Sequence, residues 1–218
     1  MTGSDVKDLI ILVADADMAQ AVGGLLARPA ALGIREGVTF KVVKHPRRDP
    51  GVFHEAPEFL RGLQGLYQYA LVLLDHEGSG QEDRRPQDIE EDIQRRLDSA
   101  GWKGRSAVVV LDPELEVWVF SASRHVIKVI AKDDRSLYDR VLNSFPKSSH
   151  GKPARPKEVM EEICRKKGVR RSASLYGELA QRVSLTGCSD RAFQRFRAVL
   201  QQWFPEVSHD PCYPGPDR

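Results

Sequence analysis

The stretch YALVLLDHEGSG, residues 69–80, decides the fold class of this chain. It is an apolar run that leads directly into two acids, Asp75 and Glu77, and then into a Gly-Ser-Gly turn. A short apolar run bounded by turn residues is typical of a buried strand in a parallel sheet. Open α/β sheets bind their ligands outside the carboxyl ends of such strands. The two acids are therefore candidate site residues.

The rest of the chain predicts an α/β fold with a mostly parallel central sheet and helices on both faces. Strands are predicted at 9–14, 38–44 and 106–111, and helical patterns of a dozen or so residues separate them, the first of which extends through residue 32. The prolines and glycine of the segment 45–51 predict a loop, which we interpret as solvated. Alternating strands and helices specify βαβ units, which require parallel neighbours. The segment 115–120, LEVWVF, suits a strand or a helix, and we favour the helix.

Composition divides the chain into two structured parts. We predict an α/β domain at 1–145, an exposed linker at 146–156, and a helical region at 157–204 packed on the domain. The linker, PKSSHGKPARP, is marked by its prolines and glycine, and the segment 205–218 has the composition of a loosely ordered tail.

The bulk properties indicate a cytoplasmic protein. The 33 basic and 31 acidic residues nearly cancel, giving a formal net charge of +2, although Lys and Arg crowd the segment 147–182. Three widely spaced cysteines argue against a structural zinc site and a disulfide scaffold, and they suit a reducing compartment. No signal-peptide pattern and no apolar stretch of membrane-spanning length is present in the sequence.

Acidic residues follow several of the predicted strands. Asp15 ends the first, Asp75 and Glu77 end the third, and Glu116 lies shortly after the fourth. Carboxylates gathered at one edge of a sheet repel one another, and a hard divalent cation relieves that repulsion. Such acids also serve as helix caps, a role that suits Asp17. If Glu116 faced the core or paired with an arginine, the metal-site hypothesis would fail even with the fold correct.

The order of these motifs resembles the Toprim domain. It is most similar to a Toprim-like family of otherwise unknown function, related to the nuclease part of OLD-type proteins, whose genes often lie beside phage-defence genes. LVLLDHEG at 71–78 matches the DxD-like strand end, with Asp75 at the first acid and Glu77 in place of the second. PELEVWVF at 113–120 is similar to the Glu-x-Trp element, with Glu116 at the acid. Three C-terminal segments resemble the helical end of that family: KPARPKEVMEEIC, LYGELAQRVSL and FQRFRAVLQQW.

One motif departs from the family pattern. Toprim domains place a glutamate after the first strand, usually followed by glycine, whereas this chain has Val-Ala-Asp-Ala-Asp at 13–17. The matching position is Ala14 or Asp15. Whether Asp15 replaces the glutamate stays open at this point.

The resemblance implies two functions for the same fold. The first is a Mg²⁺- or Mn²⁺-dependent nuclease in prokaryotic antiviral defence, with Asp75, Glu77 and Glu116 as metal ligands. Asp15 would be a fourth ligand or general base, so that Asp15, Asp75 and Glu116 form the catalytic set. The nucleic-acid backbone would bind to basic residues of the C-terminal part, namely Lys152, Arg155, Lys157, Arg170 and Arg171.

The second function is a catalytically degenerate interaction subunit of a multi-protein defence complex, with other defence proteins as partners. The departures at Asp15 and Glu77 favour it, while Asp75 and Glu116 favour the nuclease. A small-molecule enzyme on a flavodoxin-like sheet is a third possibility, but the chain has no glycine-rich phosphate loop.

Overall fold

A computed structural model describes residues 6–121, 123–148, 151–185 and 187–206 of the chain. Within this part, strands and helices alternate through the first half and helices follow one another through the second. The elements are β1 Lys7–Val13, α1 Ala16–Leu26, α2 Pro29–Leu32, β2 Phe40–Lys44, α3 Arg48–Arg61, β3 Tyr67–Asp75, α4 Pro86–Leu97, β4 Ser106–Leu111, α5 Arg124–Ala131, α6 Arg135–Ser144, α7 Pro156–Lys167, α8 Ala173–Arg182 and α9 Arg191–Trp203. A π-helical turn, Asp98–Trp102, follows α4, and a 3-10 turn, Leu115–Trp118, follows β4.

The four strands form one parallel sheet in the order β2-β1-β3-β4. The interior strands β1 and β3 are buried along almost their whole length, because their apolar residues meet helices on both faces. The predicted α/β class and the parallel sheet are confirmed, and each predicted strand lies within two residues of its observed bounds.

Helices cover both faces of the sheet. The helices α3 and α4 pack against each other and against β1, β3 and β4. On the other face α1 contacts β2, and the C-terminal helix α9 contacts β4. Right-handed crossovers produce this arrangement. The chain moves across the sheet in one direction from β1 to β2, and in the opposite direction from β2 to β3 and from β3 to β4. The connecting helices therefore lie on opposite faces.

The C-terminal helices pack directly on the α/β part through a close contact between α1 and α8. Gly24 of α1 lies where an added Cβ would be 2.8 Å from both the Gly177 carbonyl oxygen and the Ala180 Cβ. The absence of a side chain at Gly24 therefore permits close packing of α1 on α8.

The strand order creates a switch point between β1 and β3. The chain leaves β1 toward one neighbour of the sheet and leaves β3 toward the other, so the two connections diverge to opposite faces. The crevice that this divergence opens lies at the carboxyl ends of β1 and β3, where Asp15 and Asp75 are found. The fold therefore places the two predicted acids at the position where such sheets bind ligands.

Two local predictions differ from the structure. The segment 45–51 does not form a loop throughout, because α3 begins at Arg48 and includes Pro50 and Gly51 in its first turns. A proline is tolerated there because the first backbone N–H groups of a helix have no intrahelical partner. The preferred helix at 115–120 is present as the short 3-10 turn.

The structure describes the predicted linker except for residues 149–150. Lys147 and Pro153 form an isolated antiparallel bridge, and α7 follows at Pro156. Residues 207–218 of the predicted tail lie outside the described residues. No helix in the described part of the chain is both long and apolar enough to span a bilayer.

Candidate functional site at the carboxyl edge of the sheet

Asp75, the last residue of β3, has a buried carboxylate oxygen without a hydrogen-bond partner among the described residues. This atom is Oδ1. Burial, together with the neighbouring carboxylates of Asp49, Glu116, Glu114 and Asp15, raises the pKa of Asp75 well above its usual range. A buried carboxylate oxygen is costly to the fold unless a water or an ion satisfies it.

Asp49 joins the site from the first turn of α3. Its Oδ1 accepts a hydrogen bond of 2.8 Å from the backbone N–H of Asp75, and this bond links α3 to the end of β3. Burial and the Asp15 charge raise the pKa of Asp49, while the hydrogen bond from Asp75 opposes that rise. Sequence reasoning missed this residue because it assigned the segment to a solvated loop.

Asp15 caps α1 and faces the same edge. Its Oδ1 accepts a hydrogen bond of 3.0 Å from the backbone N–H of Met18, so Asp15 rather than Asp17 is the N-cap. Only one of its two carboxylate oxygens is used in this bond. Asp17 lies two residues further on, in the first turn of α1, and burial together with the Asp15 charge raises the pKa of Asp17.

Glu114 lies just after β4 and is held by the first turn of α7. Its Oε1 accepts a 3.1 Å hydrogen bond from the backbone N–H of Lys157, and its Oε2 lies 3.6 Å from the Lys157 ammonium. Burial and the adjacent Glu116 raise the pKa of Glu114 to about 7. Glu114 lies within the PELEVWVF segment but was not among the predicted site residues.

Glu116 is buried in the 3-10 turn and pairs with an arginine. Its Oε1 accepts a 2.9 Å hydrogen bond from Arg171 and a second hydrogen bond from the Tyr176 hydroxyl. Both of these donors bind the same oxygen. This pairing meets the condition under which the predicted metal site, with Glu116 as a ligand, fails. A cation at this edge would have to be held by the other acids or by Oε2.

Glu77 and His76 take peripheral positions. The Glu77 side chain is exposed, while its backbone N–H donates a 2.9 Å hydrogen bond to the Pro113 carbonyl. The His76 ring lies 2.8 Å from the Arg84 carbonyl through Nε2 and 3.4 Å from Asp112 through Nδ1. The structure therefore shows His76 engaged in its own loop.

We use the name carboxylate cluster for six residues whose charges act on one another at this edge. They are Asp15, Asp17, Asp49, Asp75, Glu114 and Glu116. In the described ranges, no three or more His, Cys, Asp and Glu side chains are grouped so that they could hold a metal ion together. Mg²⁺ commonly takes only one or two protein carboxylates and completes its shell with water and substrate oxygens. The donors around Asp75 are all oxygen atoms, which suits a Mg²⁺ ion held by one or two carboxylates.

The five basic residues predicted to bind nucleic acid divide into two groups. Lys157 and Arg171 lie at the carboxylate cluster, and Arg171 contacts Asp17 at 3.3 Å and Glu161 at 2.8 Å besides Glu116. The other three lie apart from these contacts: Lys152 donates to the Val117 carbonyl, Arg155 pairs with Glu158, and Arg170 is exposed.

Comparison of the chain with protein-family models, with curated proteins and with solved structures found no match. The geometry of the site and the order of its motifs are therefore the basis for any assignment of function.

Proposed function

We propose that the carboxylate cluster binds Mg²⁺ or Mn²⁺ and that the chain is a Toprim-like nuclease, hydrolysing DNA or RNA phosphodiesters in prokaryotic antiviral defence. One observation supports this most strongly: the unpartnered Oδ1 of Asp75, buried among like charges at the switch point of the sheet. A cation is the partner that satisfies such an oxygen and offsets the repulsion around it. The defence context comes from the resemblance of the motif order alone.

Asp75 is the residue that would hold the cation, with a second carboxylate from Asp15, Asp49 or Glu114. Asp49 also fixes the end of β3 through its bond to the Asp75 backbone. Glu77 is exposed at the rim of the carboxylate cluster. Its carboxylate would reach the cation after a change of rotamer or through a bridging water. Glu116 contributes through Oε2 or by positioning Arg171.

The chemistry divides between the cation and the side chains. A bound divalent cation polarises a phosphoryl oxygen and lowers the pKa of a coordinated water. Lys157 and Arg171 bring positive charge from the C-terminal region to the rim of the carboxylate cluster, where a phosphate group would approach. Glu114, whose pKa is raised to about 7, can accept or donate a proton near neutral pH.

A second candidate function, the catalytically degenerate interaction subunit, has its own supporting observation. Arg171 and Tyr176 already satisfy one oxygen of Glu116, and Asp15 is used as a helix cap. On this alternative the acids and Arg171 hold the C-terminal region in place, and catalysis belongs to a partner protein.

Nuclease assays separate these two functions. The purified chain is incubated with supercoiled DNA, linear DNA and RNA in Mg²⁺ or Mn²⁺, beside Asp75→Ala, Glu116→Ala and the exposed control Asp83→Asn. The nuclease proposal expects metal-dependent cleavage that is lost by at least about 100-fold in Asp75→Ala and retained in Asp83→Asn.

The assays also have a contrary outcome. Cleavage that survives Asp75→Ala would assign the activity to a contaminant or to another site. The absence of cleavage on all three substrates, with no effect of metal on the melting temperature, would favour the interaction subunit.

A further inference from the structure

The two edges of the sheet are protected unequally. On the β4 edge, the outward N–H of Val110 donates to Glu90 Oε1 at 2.9 Å. Arg195 donates to the Val108 carbonyl at 2.7 Å, and Arg191 donates to the Val110 carbonyl at 3.3 Å. The same arginines pair with Glu90, so an ion-paired set of side chains occupies the hydrogen-bonding groups of this edge. A further strand cannot add to β4 without displacing them.

The β2 edge has no comparable cover in the described part of the chain. The Thr39 carbonyl and the His45 N–H both bond to β1, so the backbone groups of the odd-numbered residues face β1. Those of Phe40, Val42 and Lys44 then point outward, because the direction alternates along a strand. None of the described hydrogen bonds reaches these outward groups. An open edge of this kind is a template for another strand.

Large exposed apolar side chains lie at the same edge. Phe40, in β2 itself, is 37% exposed, and Phe59, whose ring lies 5.1 Å from that of His45 just beyond β2, is also 37% exposed. Exposed aromatic side chains beside an unpaired strand are typical of a surface that is covered in an assembly.

We infer that β2 pairs in antiparallel fashion with β2 of a second copy of this chain, which joins the two sheets across a two-fold axis. The outward backbone N–H and C=O groups of one strand must face those of the other. The pairing with the longest overlap places Val42 opposite Val42 of the second copy. Phe40 then lies opposite Lys44, and Lys41 opposite Val43. This register forms about six backbone hydrogen bonds and places no like charges directly opposite each other.

Charges beyond the strand agree with this antiparallel arrangement. Glu36 precedes β2 by four residues and Arg48 follows it by four, and both side chains are exposed. A two-fold axis at Val42 therefore brings the acidic end of one strand to the basic end of the other. A parallel pairing would place Glu36 beside Glu36 and Lys44 beside Lys44. The inference does not depend on the proposed function.

The test measures the mass of the full chain by sedimentation equilibrium from about 1 to 300 µM, which covers the affinity range of small interfaces. Val42→Pro removes an outward N–H without touching the ladder to β1, and circular dichroism confirms that the variant is folded. A matched pair at one position then tests the register: Phe40→Lys faces Lys44 of the second copy, whereas Phe40→Glu offers it an ion pair.

We expect the wild-type chain to dimerise, Val42→Pro to be monomeric, Phe40→Lys to weaken the dimer about tenfold, and Phe40→Glu to weaken it far less or strengthen it. A wild-type chain that stays monomeric over the whole range would overturn the inference. So would a dimer that is unaffected by Val42→Pro, or equal effects of the two Phe40 variants.

Discussion

At the scale of single residues, the end of β3 places an acidic side chain among other acids at a position partly removed from solvent. Asp75 combines burial, like charges and an oxygen without a hydrogen-bond partner, which a fold selected for stability alone would avoid. By contrast, the buried Glu90 accepts hydrogen bonds from Val110 and Arg191 through both of its carboxylate oxygens. The difference between these two buried acids is the main reason to regard the carboxylate cluster as functional.

The sequence could predict part of this site and not the rest. Asp15 and Asp75 were identifiable because they end buried strands, and parallel strands end at one edge of a sheet. Asp49 was missed because Pro50 and Gly51 suggested a loop, although they lie in the first turns of α3. Arg171 could not be assigned to Glu116, since the two lie 55 positions apart and no local pattern connects them.

His45 gives the residue-scale prediction of a pH effect on stability. The ring is buried directly after β2, and its Nδ1 accepts a 3.2 Å hydrogen bond from the Arg47 N–H. Burial and the Arg47 charge lower the pKa of His45. Its Nε2 lies 3.2 Å from Glu55 Oε2, a contact that opposes this lowering, but Arg47 pairs with the same carboxylate. As pH falls below about 6.5, the unfolded chain gains a proton at His45 before the folded chain does, so folding loses stability.

The measurement compares wild type with His45→Asn, which retains an acceptor near the position of Nδ1 but does not titrate. We expect the free energy of unfolding of wild type to fall more steeply between pH 7.5 and 5, by about 1.4 kcal/mol for each unit by which the pKa is lowered. Parallel pH profiles of the two proteins would contradict the assigned neutral, buried state of His45.

At the scale of elements, strands were easier to predict than helix boundaries. Strands β1, β3 and β4 are continuous apolar runs because both of their faces are buried, and such runs are visible in one sequence. The start of α3 was obscured by Pro50, and the helical pattern through residue 32 divides into α1 and α2 at Pro29. A proline is compatible with a loop, a helix start or a break, so composition alone does not choose between them.

The contact between α1 and α8 predicts opposite effects at two adjacent glycines. An added Cβ at Gly24 meets backbone and side-chain atoms of α8 at 2.8 Å, whereas one at Gly23 has no atom within 4 Å. We expect Gly24→Ala to destabilise the chain by about 1–3 kcal/mol through overpacking. Gly23→Ala should stabilise it by about 0.5–1 kcal/mol, because alanine loses less backbone entropy in a helix. Urea unfolding of the two variants measures both effects, and similar values would show that α8 does not pack closely on α1.

At the scale of the whole molecule, Arg171 connects the C-terminal region to the edge of the sheet. Its guanidinium contacts Asp17 of α1, Glu116 of the 3-10 turn, Glu161 of α7 and the Tyr176 hydroxyl of α8. Four elements thus meet at one side chain. Because Glu116 is buried, removal of Arg171 would leave its charge without a cation.

We therefore expect Arg171→Ala to lower the free energy of unfolding by about 2–4 kcal/mol. This loss is smaller than the loss expected when a fully buried ion pair is broken, because Arg171 is partly exposed. Adding Glu116→Gln to that variant should recover part of the loss, because the uncompensated charge is then absent. The exposed neighbour Arg170→Ala is the control and should be neutral. An Arg171→Ala variant as stable as this control would show that the connection is not energetically important.

The most direct test of the central claim is the melting temperature of the full chain with and without millimolar Mn²⁺ or Mg²⁺, in wild type, Asp75→Asn and Asp83→Asn. Without metal, we expect Asp75→Asn to melt above wild type, because it removes a buried carboxylate from among like charges. With metal at ten times its dissociation constant, wild type and Asp83→Asn should gain about 1.4 kcal/mol, or roughly 3–6 °C, while Asp75→Asn should not respond. If wild type did not respond to either metal, or if Asp75→Asn responded equally, the carboxylate cluster would not be a divalent-cation site.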